Sequence, residues 1–129
     1  MKKIILLFSI LFSAYCFSQE WELVASAENG DNYYMKRKKE NSWGNPKVWT
    51  KSTYKLFDFT NPPTKNATVM SLEEYDCSER TIQRLSFISY DSKGNVIDSF
   101  DFQQYDNVSN VVPDSIAETQ LHFVCKNIK

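Results

Sequence analysis

The chain has few of the residues that mark several common kinds of protein. Its 129 residues include 3 glycines, 4 prolines and 1 histidine. So few glycines cannot form a phosphate-binding glycine loop, and a single histidine excludes histidine-rich metal sites. The 15 basic and 16 acidic residues nearly cancel, which does not indicate a nucleic-acid-binding protein. The remaining composition, 42% hydrophobic and 24% charged, is that of one globular domain.

The first residues predict an export signal. Lys2 and Lys3 precede an apolar run over residues 4–12, which is too short to span a bilayer because a spanning helix needs about 20 residues. A basic start, a short apolar core and small residues near the cut are typical of a secretory signal peptide. We place cleavage after Ser18. Residues 1–18 are then the signal peptide and residues 19–129 form a single mature domain.

Cys16 permits a second interpretation, a lipid anchor on its thiol. A lipobox needs a small residue immediately before the cysteine, and the bulky Tyr15 stands there, so we do not expect lipidation. A signal-peptide cut before Phe17 would also be compatible with the sequence, because the small residues Ala14 and Cys16 stand three and one positions before it. No later run is apolar enough to span a membrane. We expect an exported chain that is secreted, periplasmic or at the cell surface, with no transmembrane segment.

The mature domain keeps two cysteines, Cys77 and Cys125. Two cysteines in an exported chain predict one disulfide, with two free buried thiols as the alternative. A zinc site would need two further ligands, and His122 is the only histidine that could contribute. We therefore expect a disulfide, no metal site and no cofactor.

Extended segments separated by turn residues predict an antiparallel sheet of about six strands. In the clearest segment, Lys47 to Leu56, alternation puts three lysines on one face. The prolines Pro62 and Pro63 predict a long connection, and Gly94 predicts a hairpin turn over residues 91–95. The predicted strands cover residues 21–25, 33–37, 47–56, 68–77, 81–90 and 96–102.

The segment after Pro113 predicts a C-terminal helix. Ser115 and Glu118 have the spacing of a capping box, and apolar residues then recur at steps of three and four. Since Cys125 lies on the apolar face, a disulfide to Cys77 would hold the helix against the end of a strand. The predicted fold class is α+β, an antiparallel sheet with one C-terminal helix tied to it. The apolar face comprises Ala117, Leu121, Val124, Cys125 and Ile128.

The sequence offers no catalytic arrangement. A nucleophile needs a base beside it, and the only imidazole, His122, falls at the polar edge of the predicted helix. Glu73 and Glu74 are neighbours in a predicted strand, so their side chains should point to opposite faces and cannot form a carboxylate pair. We expect a protein that is not an enzyme.

Charge is distributed unevenly along the chain. Residues 36–65 contain eight basic and two acidic residues. Cations interleaved with aromatic residues suit a polyanion, such as a glycosaminoglycan, lipopolysaccharide or an acidic protein surface. A solvated strand edge protected by lysines is the alternative explanation. The predicted ligand-binding face comprises Lys36, Arg37, Lys38, Lys39, Lys47, Trp49, Lys51 and Lys55.

Several short motifs follow one another in a distinctive order: Trp21, Tyr33-Tyr34, Val48-Trp49, Tyr75-Asp76-Cys77, Tyr90-Asp91, and a helix that starts at Pro113-Asp114-Ser115 and ends at Val124-Cys125. In this order they resemble the bacterial surface-adhesin protein E family over nearly all of the mature chain. The resemblance implies a small antiparallel sheet whose C-terminal helix is tied down by a disulfide. Only Cys77 and Cys125 can be matched residue by residue to positions of the family pattern.

The resemblance also implies an exported, non-enzymatic binding module. The founding adhesin of the family is a surface lipoprotein that binds host matrix and serum proteins such as vitronectin and laminin and can dimerise. We therefore expect binding to host matrix or serum proteins or to an anionic glycan. The chain departs from the family in its poor lipobox and in Phe102-Gln103-Gln104-Tyr105, where relatives often have a tryptophan. A periplasmic accessory or structural protein without a host ligand is the alternative function, and an enzyme inhibitor is a third.

Overall fold

The computed structural model describes residues 21–37, 44–102 and 107–127. The predicted signal peptide, Cys16, Lys38, Lys39 and Ile128 lie outside these ranges.

The described residues form one antiparallel sheet and one helix. Six strands follow each other in chain order across the sheet, and a short seventh strand pairs with the fifth. The predicted fold class is therefore confirmed. The elements are β1 (Trp21–Ser26), β2 (Asn32–Lys36), β3 (Lys47–Phe57), β4 (Thr64–Asp76), β5 (Thr81–Tyr90), β6 (Val96–Asp101), β7 (Val108–Asn110) and α1 (Ile116–Asn127).

Two features of the sheet differ from the predictions. Strand β4 begins at Thr64, directly after Pro63, whereas the prolines and polar residues led us to place its start at residue 68. Asn66 adopts a left-handed φ of 53° within this early part, which asparagine tolerates better than most residues. Strand β7 was not predicted, because three exposed residues are too few to show an alternating pattern.

The core lies between one side of the sheet and α1. Burial alternates along β4, so Ala67, Val69, Ser71, Glu73 and Tyr75 face one side, which we call the helix side. The opposite side, which carries the alternate residues, is called the open side. Burying each large apolar side chain stabilises the fold by about 1.5–3 kcal/mol. The main buried cluster on the helix side consists of Met35, Val48, Tyr75, Val111, Leu121 and Val124.

A disulfide joins the turn after β4 to the last turns of α1. Cys77 and Cys125 have an S–S distance of 2.07 Å and a Cα–Cα distance of 5.8 Å, within the usual range for a disulfide. The predicted pairing is confirmed. It fixes the C-terminal end of the helix beside the strand that carries Tyr75.

Hydrogen bonds at the start of α1 confirm the predicted cap. The Ser115 hydroxyl accepts a bond of 3.2 Å from the Glu118 amide. The Glu118 carboxylate accepts a bond of 3.1 Å from the Asp114 amide, one residue before its usual capping-box partner. Arg80 and His122 also lie 3.5 Å and 3.8 Å from this carboxylate. Glu118 therefore joins the helix start to the β4–β5 turn.

Candidate functional site

Aromatic rings and lysine ammonium groups meet on the open side of the sheet. The Lys36 Nζ lies 5.0 Å from the centre of the Trp21 ring. The Lys51 Nζ lies 5.0 Å from the same ring and 4.8 Å from the centre of the Tyr34 ring. We call Trp21, Tyr34, Lys36 and Lys51 the basic–aromatic cluster.

Strand register explains why these four side chains meet. Trp21 is the cross-strand partner of Lys36 in the β1–β2 pair, and Tyr34 is the partner of Lys51 in the β2–β3 pair. Neighbouring strands are about 4.8 Å apart, so same-side groups on adjacent strands touch. A cation over an aromatic face at an exposed site contributes about 0.5–1 kcal/mol. These contacts hold both ammonium groups over the rings.

An apolar strip continues from the cluster across the open side. Lys51 is opposite Met70, which in turn is opposite Ile88, and Trp49 is opposite Leu72. These apolar residues are only half-buried, whereas the helix-side residues of β3 and β4 form the core. Within the described part of the chain, α1 packs against the other side. The open side therefore combines an accessible apolar strip with cations.

Lys47 lies at the edge of this strip and has an acidic partner. Its Nζ is 3.7 Å from an Oε of Glu74, the residue opposite it in β4. Its charge is therefore partly balanced. Of the predicted ligand-binding face, the structure places Lys36, Lys47, Trp49 and Lys51 along one side of neighbouring strands.

The remaining residues of the predicted face do not join this group. Arg37 forms an ion pair with Glu22, a bond that lowers the pKa of the Glu22 carboxyl and raises that of the Arg37 guanidinium. Glu22 is the cross-strand partner of the buried Met35, so Arg37 is engaged away from the open side. Lys55 packs against Gly30 near the other end of β3, about 13 Å along the strand from Lys51. Lys38 and Lys39 lie outside the described residues.

Sequence reasoning missed Trp21 and Tyr34 as site residues. Both were assigned to strands, but Trp21 lies in a stretch without basic residues, whereas Tyr34 lies two residues before Lys36. The available signal was the alternation that puts Tyr34 and Lys36 on one side of β2. What it could not supply was the register that brings β1 and β3 against them.

A buried carboxylate on the helix side was also missed. Glu73 is 6% exposed. Its carboxylate accepts a hydrogen bond of 2.6 Å from the Tyr75 hydroxyl and lies 3.5 Å from an Arg84 nitrogen. Burial raises the pKa of Tyr75 well above its usual value, and the Glu73 charge adds to this rise. Since Glu74 pairs with Lys47 on the open side, the two glutamates lie on opposite faces, as predicted.

Comparison with known families agrees with this architecture. The family described as Surface-adhesin protein E matches residues 21–126. The chain belongs to the surface-adhesin protein E family. The match extends from β1 through nearly all of α1, so it covers the sheet, the helix and both cysteines. No curated protein and no solved structure matches the chain significantly.

Membership in the surface-adhesin protein E family indicates a surface adhesin-like, non-enzymatic binding module that is exported or displayed at the cell surface. Among the residues with described structure, no helix has the length and hydropathy needed to cross a membrane. The same residues contain no group of three or more histidine, cysteine, aspartate or glutamate side chains suited to a metal ion.

Proposed function

We propose that the open side of the sheet binds an acidic region of a host matrix or serum protein. The observation that carries this proposal is the basic–aromatic cluster beside the apolar strip. Accessible apolar surface of this kind is typical of protein-binding sites. Tryptophan and tyrosine are also enriched among the residues that dominate binding energy.

The cluster favours a protein over a pure polyanion. A polyanion needs cations, whereas Trp49, Met70, Leu72 and Ile88 supply apolar contact that a sulfated glycan would leave unused. Ammonium groups already held over rings lose less side-chain freedom when a partner docks. The lysines then select an acidic partner and raise its association rate.

Binding to immobilised vitronectin, laminin and heparin tests the proposal. We would measure dissociation constants by surface plasmon resonance at about 50 and 150 mM NaCl, below and at physiological ionic strength. Replacing Lys51 with methionine removes the charge and keeps the side-chain length. We expect affinity for vitronectin or laminin to fall about tenfold, which corresponds to about 1.4 kcal/mol.

The matched control is Lys93→Met, which removes an exposed charge in the β5–β6 turn. Equal losses from Lys51→Met and Lys93→Met would contradict a site on the open side. Binding to heparin alone that disappears at the higher salt concentration would indicate only a basic surface. Binding to none of the three would favour the alternative, a periplasmic accessory or structural protein.

We further propose that the chain reaches its site of action after removal of residues 1–18. N-terminal sequencing of the exported protein should then begin at Gln19, and fractionation should separate periplasmic from surface or released protein. Lipidation of Cys16 would instead leave that cysteine as the first residue. Dimerisation also stays a prediction, which sedimentation of the purified protein would test.

A further inference from the structure

The helix side carries a cavity beyond the part of the sheet that α1 covers. Its volume is about 350 Å³, within the range of pockets that hold small ligands, about 300–1,000 Å³. It lies next to a second buried cluster formed by Phe57, Ala67 and Val69. Because the basic–aromatic cluster is on the opposite side of the sheet, this cavity is a separate site.

Small hydroxyl residues form the floor of the cavity. Ser52 and Ser89 are both cross-strand partners of Val69, and Ser71 is two residues further along β4. Ser71 and Ser89 are 2% and 0% exposed. The Ser89 hydroxyl lies 3.3 Å from the Asp98 carbonyl oxygen, to which it donates. Serines at these positions leave depth that larger side chains would fill, and the half-buried Ser52 gives the bottom an accessible polar side chain.

Aromatic rings form the walls. Tyr54 packs on Phe57 with ring centres 5.5 Å apart, and Phe57 packs on Phe59 at 5.3 Å. Phe87 lines the same cavity and packs against Phe100, with ring centres 5.4 Å apart. The floor is thus polar while the walls are flat and apolar.

The loop that places Phe59 is held by hydrogen bonds. The Thr60 hydroxyl lies 3.3 Å from the Phe57 carbonyl oxygen and 3.0 Å from that of Pro62, and 2.9 Å from the Thr64 hydroxyl. Phe59 itself is 88% exposed. An aromatic ring held in solvent at the mouth of a cavity is available to a ligand.

The charges around the cavity favour neither sign. Arg84 lies over the Phe87 ring, 5.9 Å from its centre, and also pairs with Glu73. Asp98 lines the cavity as well. A strongly anionic ligand would meet the Asp98 carboxylate, and a cationic ligand would meet the Arg84 guanidinium. A neutral ligand meets neither penalty and can use both groups as hydrogen-bond partners.

We propose that this cavity binds a neutral saccharide unit. A sugar ring has an apolar C–H face that stacks on aromatic walls, and its hydroxyls both donate and accept hydrogen bonds. It can therefore pair with Ser52, Arg84 and Asp98 at once. A purely apolar occupant would displace water from these polar groups without replacing its hydrogen bonds, which is unfavourable.

The test is a titration of the ¹⁵N-labelled protein, produced from the complete chain by export in a bacterial host. Glucose, galactose, mannose and N-acetylglucosamine are added separately, with a heparin disaccharide as the charged comparison. We expect saturable shifts of the amide signals of Ser71, Phe87 and Ser89 with at least one neutral sugar. Replacing Phe59 with alanine should weaken this binding at least fivefold, since the ring is exposed and its loss does not disturb the core.

The matched control is Leu56→Ala, because Leu56 is a 49% exposed apolar residue in the same segment and does not line the cavity. Saturable shifts that Phe59→Ala weakens and Leu56→Ala leaves unchanged support the proposal. It is overturned if none of the four sugars gives saturable shifts, if the shifts fall at Trp21 and Lys51, or if the heparin disaccharide occupies the cavity more tightly. Lys51 lies on the open side of the sheet, so loss of vitronectin or laminin binding in Lys51→Met tests the proposed protein-binding site and not the saccharide site. Each of the two proposals can therefore fail without the other.

Discussion

Removing the disulfide should lower the free energy of unfolding by about 4 kcal/mol. The two cysteines are 48 residues apart in sequence, and the chain-entropy model gives about 4 kcal/mol for a closed loop of this length. Both cysteine residues are exposed. Replacing Cys77 and Cys125 with alanine therefore opens no cavity in the core, and the measured loss reports mainly the constraint on the unfolded chain.

That loss is large for a domain of this size. Single domains have unfolding free energies of about 5–15 kcal/mol, so about 4 kcal/mol is a substantial fraction. The melting temperature should fall by roughly 15–25 °C, by the usual relation between stability and melting temperature for small domains. Because α1 has one end tied by the disulfide, hydrogen exchange should show the helix opening first in the variant.

Urea unfolding followed by circular dichroism and tryptophan fluorescence measures the effect. The double alanine variant and the reduced wild-type protein should unfold at the same urea concentration. Lys126→Ala is the matched control, since it alters the same helix end and should change stability by less than about 1 kcal/mol. A loss below about 1 kcal/mol in the double variant would refute the reasoning, because it would mean that packing alone holds the helix.

Three further predictions concern the helix and the core. Ser115→Ala should lower the unfolding free energy by about 1 kcal/mol through loss of the helix cap, and a similar loss in the exposed Thr119→Ala would contradict this assignment. Leu121→Ala should lower it by about 2–5 kcal/mol in urea unfolding, because the residue is 2% exposed, and a surface-like loss under about 1 kcal/mol would place it outside the core. Tyr75 has a raised pKa from burial and from Glu73, so its contribution to stability is present below the unfolded pKa of about 10 and is lost as the pH rises through the folded pKa. Urea unfolding between pH 7 and 11 should therefore show a shallower alkaline loss in Tyr75→Phe than in wild type, and equal slopes would disprove this role.

Local features of the fold could be predicted because their causes are local. Side chains alternate along a strand, so Val48 and Trp49 were assigned to opposite faces without any knowledge of the strands beside them. Ser115 and Glu118 marked the helix start because the cap involves residues three positions apart. The disulfide could be predicted because residues 19–129 contain only two cysteines.

The composition of the candidate site was only partly predictable. A run of basic residues beginning at Lys36 suggested one continuous surface, yet Arg37 pairs with Glu22 and Lys55 lies near the other end of its strand. Adjacent residues in a chain do not share a face in extended structure. The prediction from nearness in sequence therefore grouped more cations into one face than the structure brings together.

The sequence by itself determined the six main strands, the helix, the covalent link and the presence of a basic segment rich in aromatic residues. Tertiary structure alone decided that Trp21 lies against Lys51, two strands away, because that contact depends on register and strand order. It also decided where α1 ends on the sheet, and hence that the serine-floored cavity beside Phe87 is left uncovered. Contacts between residues far apart in the chain arise from the packing of whole elements, which no local pattern encodes.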